Sequence, residues 1–377
     1  MYEILSKMTV APYLFHTPKE EQDKIKLNLI KKSMAYHYDN NEYYRNLCEA
    51  SNISPSEISE IDDLIRIPLI PIRFFKQPDP DARYLLSVPM EKIEFEIRSS
   101  GTGGVPSIAR RDYDTVTNVI LFYIALYRDF FKIVDGAGLY LCPSPEEMPH
   151  MGMIKTFNII NYALNTSGYA VENMRLDSEK ALNFLQKWEG KFTRHILGPP
   201  FLLNSFLDYL KEKEIRLKLD KDTKIVTVGG WKHHTGSQIP RKELDQKCID
   251  YLGIEKSQIR DMYGMVESNM LAIECENNLK HVPPTVHFSI RDVDDPTKEV
   301  KDGEEGLVAI LDPSSLSYPA FLLTEDMGIM RRHVKCACGR TGDLIDVIGR
   351  APKSDYKTCA LTLGQYMDEK DKPAVNA

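Results

Sequence analysis

The amino-acid sequence predicts an α/β fold on two observations. Short apolar runs recur along the chain, and most of them are separated by stretches long enough for helices. These runs are Gly138 to Cys142, His195 to Leu197, Lys224 to Val228 and Leu307 to Leu311. In addition, Ile93, Phe95 and Ile97 alternate with charged residues. This alternation predicts a strand, because successive side chains of a strand point to opposite faces.

Two helices and one connector can be placed from their local sequence. A helix that runs towards Tyr36 is predicted from three residues at its start: Thr17 as N-cap, Pro18 in the first turn and Glu20, whose side chain reaches back to the cap. Another helix is predicted from about Asp114. Between them, the segment IPLIPIRFFK is predicted to be an extended connector and not a helix, because proline lacks an amide donor and restricts the residue before it.

Composition and charge limit the classes of function. The 377 residues are 42% hydrophobic, enough for a sizeable core, and the formal net charge is −7. A polyanion usually binds to clustered positive charge, so we predict no nucleic-acid partner, although a local phosphate site remains compatible with this charge. The longest uncharged apolar stretch, Val116 to Tyr127, is too short to cross a bilayer, which predicts that the chain does not span a membrane.

The cysteines and the N-terminus predict a cytoplasmic protein. The seven cysteines are an odd number spread through a long chain, unlike the dense, even sets of small secreted domains. Glu3 and Lys7 interrupt the N-terminal segment where a secretory signal needs an unbroken apolar run.

A glycine-rich turn directly follows the predicted strand at Ile93 to Ile97. Three hydroxyls and three glycines would let backbone amides and hydroxyls converge on phosphate oxygens. Taken alone, the turn is equally consistent with a flexible surface loop, and it lacks the GxxxxGK[ST] pattern of P-loop enzymes. Its residues are Ser99, Ser100, Gly101, Thr102, Gly103 and Gly104.

Later segments follow this turn in the order found in adenylate-forming enzymes. The segment Tyr263-Gly264-Met265-Val266-Glu267 resembles their YGxTE motif, with Val266 in place of threonine. The resemblance implies that the turn binds the phosphates of ATP, that Tyr263 stacks on adenine beside Gly264, and that Glu267 helps to hold Mg²⁺.

Two further segments extend the resemblance. Thr324-Glu325-Asp326 matches the segment whose aspartate binds both ribose hydroxyls, a role that suits a carboxylate acceptor. Ile348-Gly349-Arg350 resembles the hinge that comes next. The resemblance therefore implies that Asp326 and Arg350 belong to the nucleotide site.

Most of the chain from about Ile67 onward is similar to the acyl-protein synthetases (LuxE type) of bacterial luminescence, which supply activated fatty acid to a reductase. Their similarity lies in seven ordered segments: IPLIPIRFFK, SSGTGGVPSIARR, VGGWK, SQIRDMYGMVESN, KHVPPTVHF, LDPSSLSYPAFLLTEDMGI and TCALTL. The resemblance implies a carboxylic acid substrate, most simply a fatty acid, and ATP with Mg²⁺. It also implies that Cys359 accepts the acyl group and passes it to a partner protein such as an acyl reductase.

The same resemblance implies the domain organisation. An adenylate-forming domain would cover residues 1–350, with a helical portion and connector at 1–92 and the nucleotide-binding body at 93–350. An acyl-accepting segment and tail would cover 351–377. Because few residues follow Arg350, the full C-terminal lid domain of the superfamily, with its lysine, is expected to be missing. Lys232 and Arg110 are candidate substitutes for that lysine, or ordinary surface charges.

Four other residues predict a structural metal site. Cys336 and Cys338 form a CxCG turn, and Cys275 precedes His281 by six positions. This region resembles phenylacetate-CoA ligases, where such an arrangement binds structural zinc. Zinc prefers four such ligands in a tetrahedron. The other reading is four unrelated side chains, since the two pairs are about 55 residues apart.

Three functions remain open from the sequence. The leading hypothesis is an acid:protein ligase that forms acyl-AMP and then transfers the acyl group through Cys359. An acyl- or aryl-CoA ligase is the second, favoured by the CxCGR region. The third, from another class, is a catalytically weak nucleotide-binding subunit that docks a reductase, which Val266 and the expected lack of a lid would support.

Overall fold

The computed structural model describes residues 11–76, 81–99, 105–230 and 238–351. Its α-helices are α1 (Ala11–Leu14), α2 (Lys19–Asn40), α3 (Glu42–Ala50), α4 (Tyr113–Phe130), α5 (Gly152–Asn158), α6 (Ser178–Trp188), α7 (Pro200–Glu212) and α8 (Arg241–Leu252). Short 3-10 helices cover Pro55–Glu57, Ile61–Arg66, Ile72–Lys76, Asp81–Leu85, Met90–Lys92, Ile159–Ala163 and Lys256–Gln258.

Sixteen strands are present in the described ranges. They are β1 (Ile70–Pro71), β2 (Ile93–Arg98), β3 (Ile108–Asp112), β4 (Ala137–Tyr140), β5 (Thr166–Tyr169), β6 (Val171–Glu172), β7 (Arg175–Leu176), β8 (Arg194–Gly198), β9 (Ile225–Val228), β10 (Ile259–Tyr263), β11 (Ala272–Glu274), β12 (Lys280–His281), β13 (His287–Arg291), β14 (Glu305–Asp312), β15 (Ala320–Lys335) and β16 (Thr341–Arg350).

Twelve of these strands form one mixed sheet in the order β13-β14-β15-β16-β12-β11-β10-β9-β8-β4-β5, with β1 added beside β15. From β5 to β10 the neighbouring strands are parallel. From β10 to β13 they are antiparallel. The sheet with its crossover helices confirms the predicted α/β fold.

The parallel half of the sheet is built as the apolar runs predict. Strands β4, β8 and β9 are buried along their whole length, as expected for parallel strands covered on both faces. The helices α6, α7 and α8 pack on this half, and their buried side chains share one hydrophobic cluster with these strands.

The antiparallel half carries the N-terminal helices. Ile30 and Met34 of α2 and Phe321 of β15 belong to the same buried cluster. The two-residue strand β1 runs parallel to β15, with Ile70 opposite Leu322. The residues before 92 and the later body therefore share a core.

Two local predictions were wrong in detail. The first long helix has Pro18 and not Thr17 at its N-cap position, and it continues to Asn40. The Thr17 hydroxyl instead donates to the Leu14 carbonyl at 2.9 Å. The connector is extended only at β1; Ile72–Lys76 then forms a 3-10 helix, because both prolines precede it and buried Phe74 and Phe75 anchor it.

The predicted strands at 93–97, 138–142, 195–197, 224–228 and 307–311 are all present, with ends shifted by one or two residues. The predicted helix at Asp114 begins at Tyr113, where the Asp112 side chain caps it. Along the described stretches of chain, every helix is too short or too polar to pass through a lipid bilayer.

Candidate functional sites

The first candidate site lies where the two halves of the sheet meet. Tyr263 is the last residue of β10, at the carboxyl end of the parallel half. Its hydroxyl donates to Asp326 Oδ2 at 2.8 Å. Asp326 lies opposite Arg350 in the β15–β16 ladder, and Arg350 Nε is 3.7 Å from Asp326 Oδ1. The sheet thus brings together three residues that the sequence assigned to a nucleotide site.

Asp326 is an acceptor that solvent can reach, since 18% of its side chain is exposed. Burial raises the pKa of its carboxyl group, and the Tyr263 hydrogen bond and Arg350 offset part of that rise. A carboxylate held by one hydroxyl and one guanidinium keeps acceptor capacity for further hydroxyl donors.

Glu267 lies in the turn that follows β10 and is only 4% exposed. Burial raises the pKa of its carboxyl group, and a hydrogen bond from Ser107 and the charge of Lys76 partly offset this. Ser107 also pairs with Ser99 through backbone and hydroxyl bonds of 3.0 and 2.8 Å. The base of the glycine-rich turn therefore lies beside Glu267.

Buried polar groups fix the backbone around Glu267. Arg111 donates to the carbonyl oxygens of Val266 and Ser268, at 2.7 and 3.3 Å. Asp312, fully buried, accepts from the Ser268 hydroxyl and the Asn269 amide at 2.6 and 2.7 Å. Sequence reasoning assigned no role to Arg111 or Asp312, because neither lies within the YGxTE-like motif.

Packing explains two residues of that motif. A Cβ atom on Gly264 would come within 2.5 Å of the Leu271 side chain. A Cβ on Gly152, at the start of α5, would come within 2.5 Å of Val266 Cγ1 and 3.1 Å of Ile97. The half-buried Val266 side chain therefore lies directly against the backbone of Gly152.

Lys76 completes this group and was missed from the sequence. Its Nζ lies 2.8 Å from Glu325 Oε2, and Arg350 Nη1 lies 3.7 Å from the same oxygen. The only sequence signal was its place at the end of IPLIPIRFFK. We call Lys76, Tyr263, Glu267, Glu325, Asp326 and Arg350 the carboxylate cluster.

Several predicted residues lie outside the described ranges: Ser100, Gly101, Thr102, Gly103, Gly104, Lys232 and Cys359. Their roles stay predictions. Arg110, the other candidate for the lid lysine, is buried in β3, with Nε 3.7 Å from Glu96 Oε2.

The second candidate site lies at the opposite ends of the central strands, where the β11–β12 and β15–β16 turns meet. The potential ligand atoms of Cys275, His281, Cys336 and Cys338 all lie within 4.8 Å of one another. Cys275 Sγ is 3.8 Å from Cys336 Sγ, and Cys338 Sγ is 3.6 Å from His281 Nε2. We call these four residues the Cys/His cluster.

The Cys/His cluster is enclosed by aromatic rings and a guanidinium. Phe15 and Phe130 pack against the His281 ring at centroid distances of 5.9 and 5.8 Å. Arg340 lies over the Phe130 ring and pairs with Asp129 at 2.9 Å. Burial raises the pKa of Cys275 to about 12 and lowers that of His281 to about 4.

The other described cysteines are Cys48, Cys142 and Cys248, all buried. Burial raises the pKa of Cys48 and of Cys142 to about 12, and that of Cys248 further still. These thiols therefore stay protonated near neutral pH, and a protonated thiol is a poor nucleophile.

Comparison with known proteins extends these observations. A family model described as acyl-protein synthetase, LuxE, matches residues 5–368. A long-chain-fatty-acid–luciferin-component ligase of Aliivibrio fischeri is 31% identical over 358 residues, covering 94% of this chain and 91% of the relative. A phenylacetate-coenzyme A ligase of Aromatoleum evansii is 24% identical over 358 residues, covering 88% and 74%.

Among solved structures, an open conformation of 2-hydroxyisobutyryl-CoA ligase in complex with 2-HIB-AMP and CoA has a TM-score of 0.70. It is 16% identical, and the match covers 89% of this chain and 76% of that one. This likeness shows the fold, a large mixed sheet packed by helices that is shared with adenylate-forming ligases. The match of the family model across almost the whole sequence goes further, and this chain belongs to the acyl-protein synthetase (LuxE) family.

Proposed function

We propose that this protein is an ATP-dependent acid:protein ligase that activates a long-chain fatty acid as acyl-AMP and transfers the acyl group through Cys359 to a partner protein. The observation that carries the proposal is the carboxylate cluster. Tyr263, Asp326 and Arg350 converge beside buried Glu267 in a chain of the LuxE family.

In the first step, a carboxylate oxygen of the acid bonds to the α-phosphorus of ATP, and pyrophosphate leaves with the electron pair of the broken bond. Asp326 accepts from the ribose hydroxyls and positions the nucleotide. Glu267, whose buried carboxylate is only partly compensated by the charge of Lys76, would hold Mg²⁺, which neutralises phosphate charge when bound. The charge of that ion would also offset the burial that raises the pKa of Glu267.

In the second step, the Cys359 thiolate attacks the acyl carbon, AMP leaves and a thioester forms. Two features of the described cysteines support this choice of thiol. Cys48, Cys142 and Cys248 are buried with raised pKa values. The other three lie in the Cys/His cluster. The acceptor is a protein, and an acyl reductase is the partner that the family resemblance implies.

The two alternative functions, a CoA ligase and a nucleotide-binding subunit, predict different results when exchange and acyl transfer are measured. A CoA ligase is favoured by the CxCGR region and by the more distant phenylacetate-CoA ligase relatives. It would release acyl-CoA without acylating itself. A non-catalytic nucleotide-binding subunit would exchange no label between pyrophosphate and ATP.

The test is ATP–pyrophosphate exchange with a panel of fatty acids from eight to eighteen carbons and with phenylacetate, followed by labelled acid with or without coenzyme A. We expect exchange that is fastest with long-chain acids and a hydroxylamine-sensitive label on the protein. Absence of exchange with every acid, or label that appears only on coenzyme A, would contradict the proposal.

We also propose that the Cys/His cluster binds one structural zinc ion. A tetrahedral ion about 2.3 Å from sulfur and 2.0 Å from nitrogen requires about 3.8 Å between two sulfurs and about 3.5 Å between sulfur and nitrogen. The distances of 3.8 Å between Cys275 and Cys336, and 3.6 Å between Cys338 and His281, fit this geometry. Four protein ligands leave no open position, so the metal would activate no water.

Metal analysis tests this second proposal. Protein purified without chelator should contain about one zinc per chain, since four ligands of this kind bind tightly. Purified protein without metal, or with metal that remains after Cys275 and Cys338 are both replaced by serine, would rule out the site.

A further inference from the structure

The carboxylate cluster contains a lysine whose position the fold determines closely. Strand β1 pairs with β15, with Pro71 opposite Leu323. The 3-10 helix that follows ends at Lys76, and Glu325 lies two residues beyond Leu323 on β15. Phe75, buried in that helix, packs edge-on against Tyr318 at 5.2 Å. The lysine is therefore held on a rigid base.

Lys76 faces the groups assigned to adenylation. Its Nζ is 2.8 Å from Glu325 Oε2, and its charge offsets part of the rise in pKa that burial causes in Glu267 and Asp326. About a quarter of the lysine side chain remains exposed (26%), so a ligand can reach it. A partly exposed ion pair adds little to stability, so the pair with Glu325 does not by itself account for a lysine held at this place.

The proposed first step needs a cation at this place. A substrate carboxylate and a triphosphate are both anions, and they must approach until an oxygen–phosphorus bond forms. A fixed positive charge stabilises that encounter and the charge that develops on the leaving pyrophosphate. No proton is transferred in this step, so the cation needs only to keep its charge.

Building on the proposed function, we infer that Lys76 is the catalytic cation that bridges the substrate carboxylate and the phosphates during adenylation, and that Glu325 holds it in place before the substrates bind. The second step is different. A thiolate attacks an adenylate that has already lost its pyrophosphate, so Lys76 contributes much less to acyl transfer.

Two half-reactions measured separately test this inference. The first is ATP–pyrophosphate exchange with tetradecanoic acid as the probe, and the second is labelling of the protein by prepared tetradecanoyl-AMP. We expect Lys76→Met to lower kcat for exchange about 100-fold, the usual effect of removing one electrostatic contact to a transition state. Labelling by the adenylate should stay within about twofold. Lys76→Arg, which keeps the charge, should recover part of the exchange rate.

Two variants serve as controls. Arg73→Met removes a charge from the same short helix, where the guanidinium lies over the Phe74 ring, and both half-reactions should remain normal. Glu325→Gln breaks the same ion pair but keeps the lysine, so its exchange rate should stay well above that of Lys76→Met.

Normal exchange by Lys76→Met would overturn the inference. An equal loss of both half-reactions, or a Glu325→Gln loss as large as that of Lys76→Met, would also overturn it in favour of a structural ion pair. A wild-type protein without exchange would instead overturn the proposed function, so the two failures are distinguishable.

Discussion

The two candidate sites lie at opposite ends of the same strands and use buried ionisable groups in opposite ways. Tyr263 ends β10 and lies opposite Ala272 of β11, whereas Cys275 follows the far end of β11. The carboxylate cluster is reached from solvent, with 18% of Asp326 and 57% of Arg350 exposed. In the Cys/His cluster, Cys275 and His281 are at most 1% exposed and Cys336 is buried, while Cys338 is half-buried.

This difference in exposure suits the carboxylate cluster to a ligand that binds and leaves, and the Cys/His cluster to an ion that stays bound. In the carboxylate cluster, burial raises the pKa of Glu267 and of Asp326, which is costly to the empty fold. Under the proposed function, a bound cation would relieve that cost. An enclosed set of thiols and imidazole at zinc spacing suits an ion that binds once, during folding. We therefore expect substitutions in the first cluster to change chemistry and those in the second to change stability.

The largest expected effect concerns Cys359, the cysteine proposed to act as a nucleophile and not as a metal ligand. Cys359→Ser should abolish the hydroxylamine-sensitive acyl label formed from labelled acid and ATP, because a serine ester forms more slowly and resists cleavage. Pyrophosphate exchange should persist, since adenylation needs no thiol. Gel analysis of labelled protein before and after hydroxylamine measures the first effect. A thioester on Cys275 in this variant would contradict the assignment of Cys359 as the nucleophile and of Cys275 as a metal ligand.

Asp326→Ala should give the next largest effect. Charge-assisted bonds to two ribose hydroxyls contribute about 1.5 to 3 kcal/mol each, so their loss should weaken ATP use about 100-fold or more. The ATP dependence of exchange measures this. Asp346→Ala, which removes an exposed carboxylate paired with Arg331 from strand β16, should leave exchange normal. Equal effects of the two substitutions would remove Asp326 from the nucleotide site.

The sequence predicted the parts of this molecule that depend on local patterns. Apolar runs such as the one ending in β9 identify strands, because a strand buried on both faces must be apolar. The sequence did not predict that β1 would join β15, since a two-residue strand has no periodicity of its own. The same non-local pairing brings Lys76 to Glu325, 249 residues away.

The site was predictable where side chains had a recognisable spacing. Tyr263 and Asp326 were assigned to one site from the order of motifs, and the structure joins them by a hydrogen bond across 63 residues. Arg111 and Asp312 were not predicted. They act on the backbone around Glu267 from β3 and β14, and no spacing in the sequence reports such contacts.

Cys275→Ser tests whether the Cys/His cluster contributes to stability and not to chemistry. If loss of one ligand weakens zinc binding about 100-fold, the stabilisation from bound metal falls by about 2.7 kcal/mol. Urea unfolding and zinc content should both decrease, while the exchange rate per folded molecule stays normal. Cys142→Ser, at a buried cysteine of the same hydrophobic cluster, should leave zinc content unchanged. Loss of exchange with unaltered stability would instead indicate a catalytic metal.

The smallest expected effect on stability has the opposite sign. Glu267→Gln should abolish Mg²⁺-dependent exchange yet stabilise the ligand-free protein at neutral pH by about 1 kcal/mol, a typical gain when a functional group that destabilises the fold is replaced. Burial raises the pKa of Glu267 in the folded state. Below the ordinary carboxyl pKa the group is protonated in both states, and its contribution to stability is fully present. That contribution is lost as the pH rises through the raised pKa, because folding then buries a charge.

The advantage of the glutamine variant should therefore grow from acidic to neutral pH. Urea unfolding of both proteins at several pH values, without nucleotide or Mg²⁺, measures it. Glu94→Gln, at an exposed carboxylate on β2, should show no such trend. Saturating ATP and Mg²⁺ should reverse the order of stability, because only the wild-type carboxylate gains the cation. A glutamine variant less stable than wild type at neutral pH would mean that Glu267, like the Cys/His cluster, belongs to the framework of the fold.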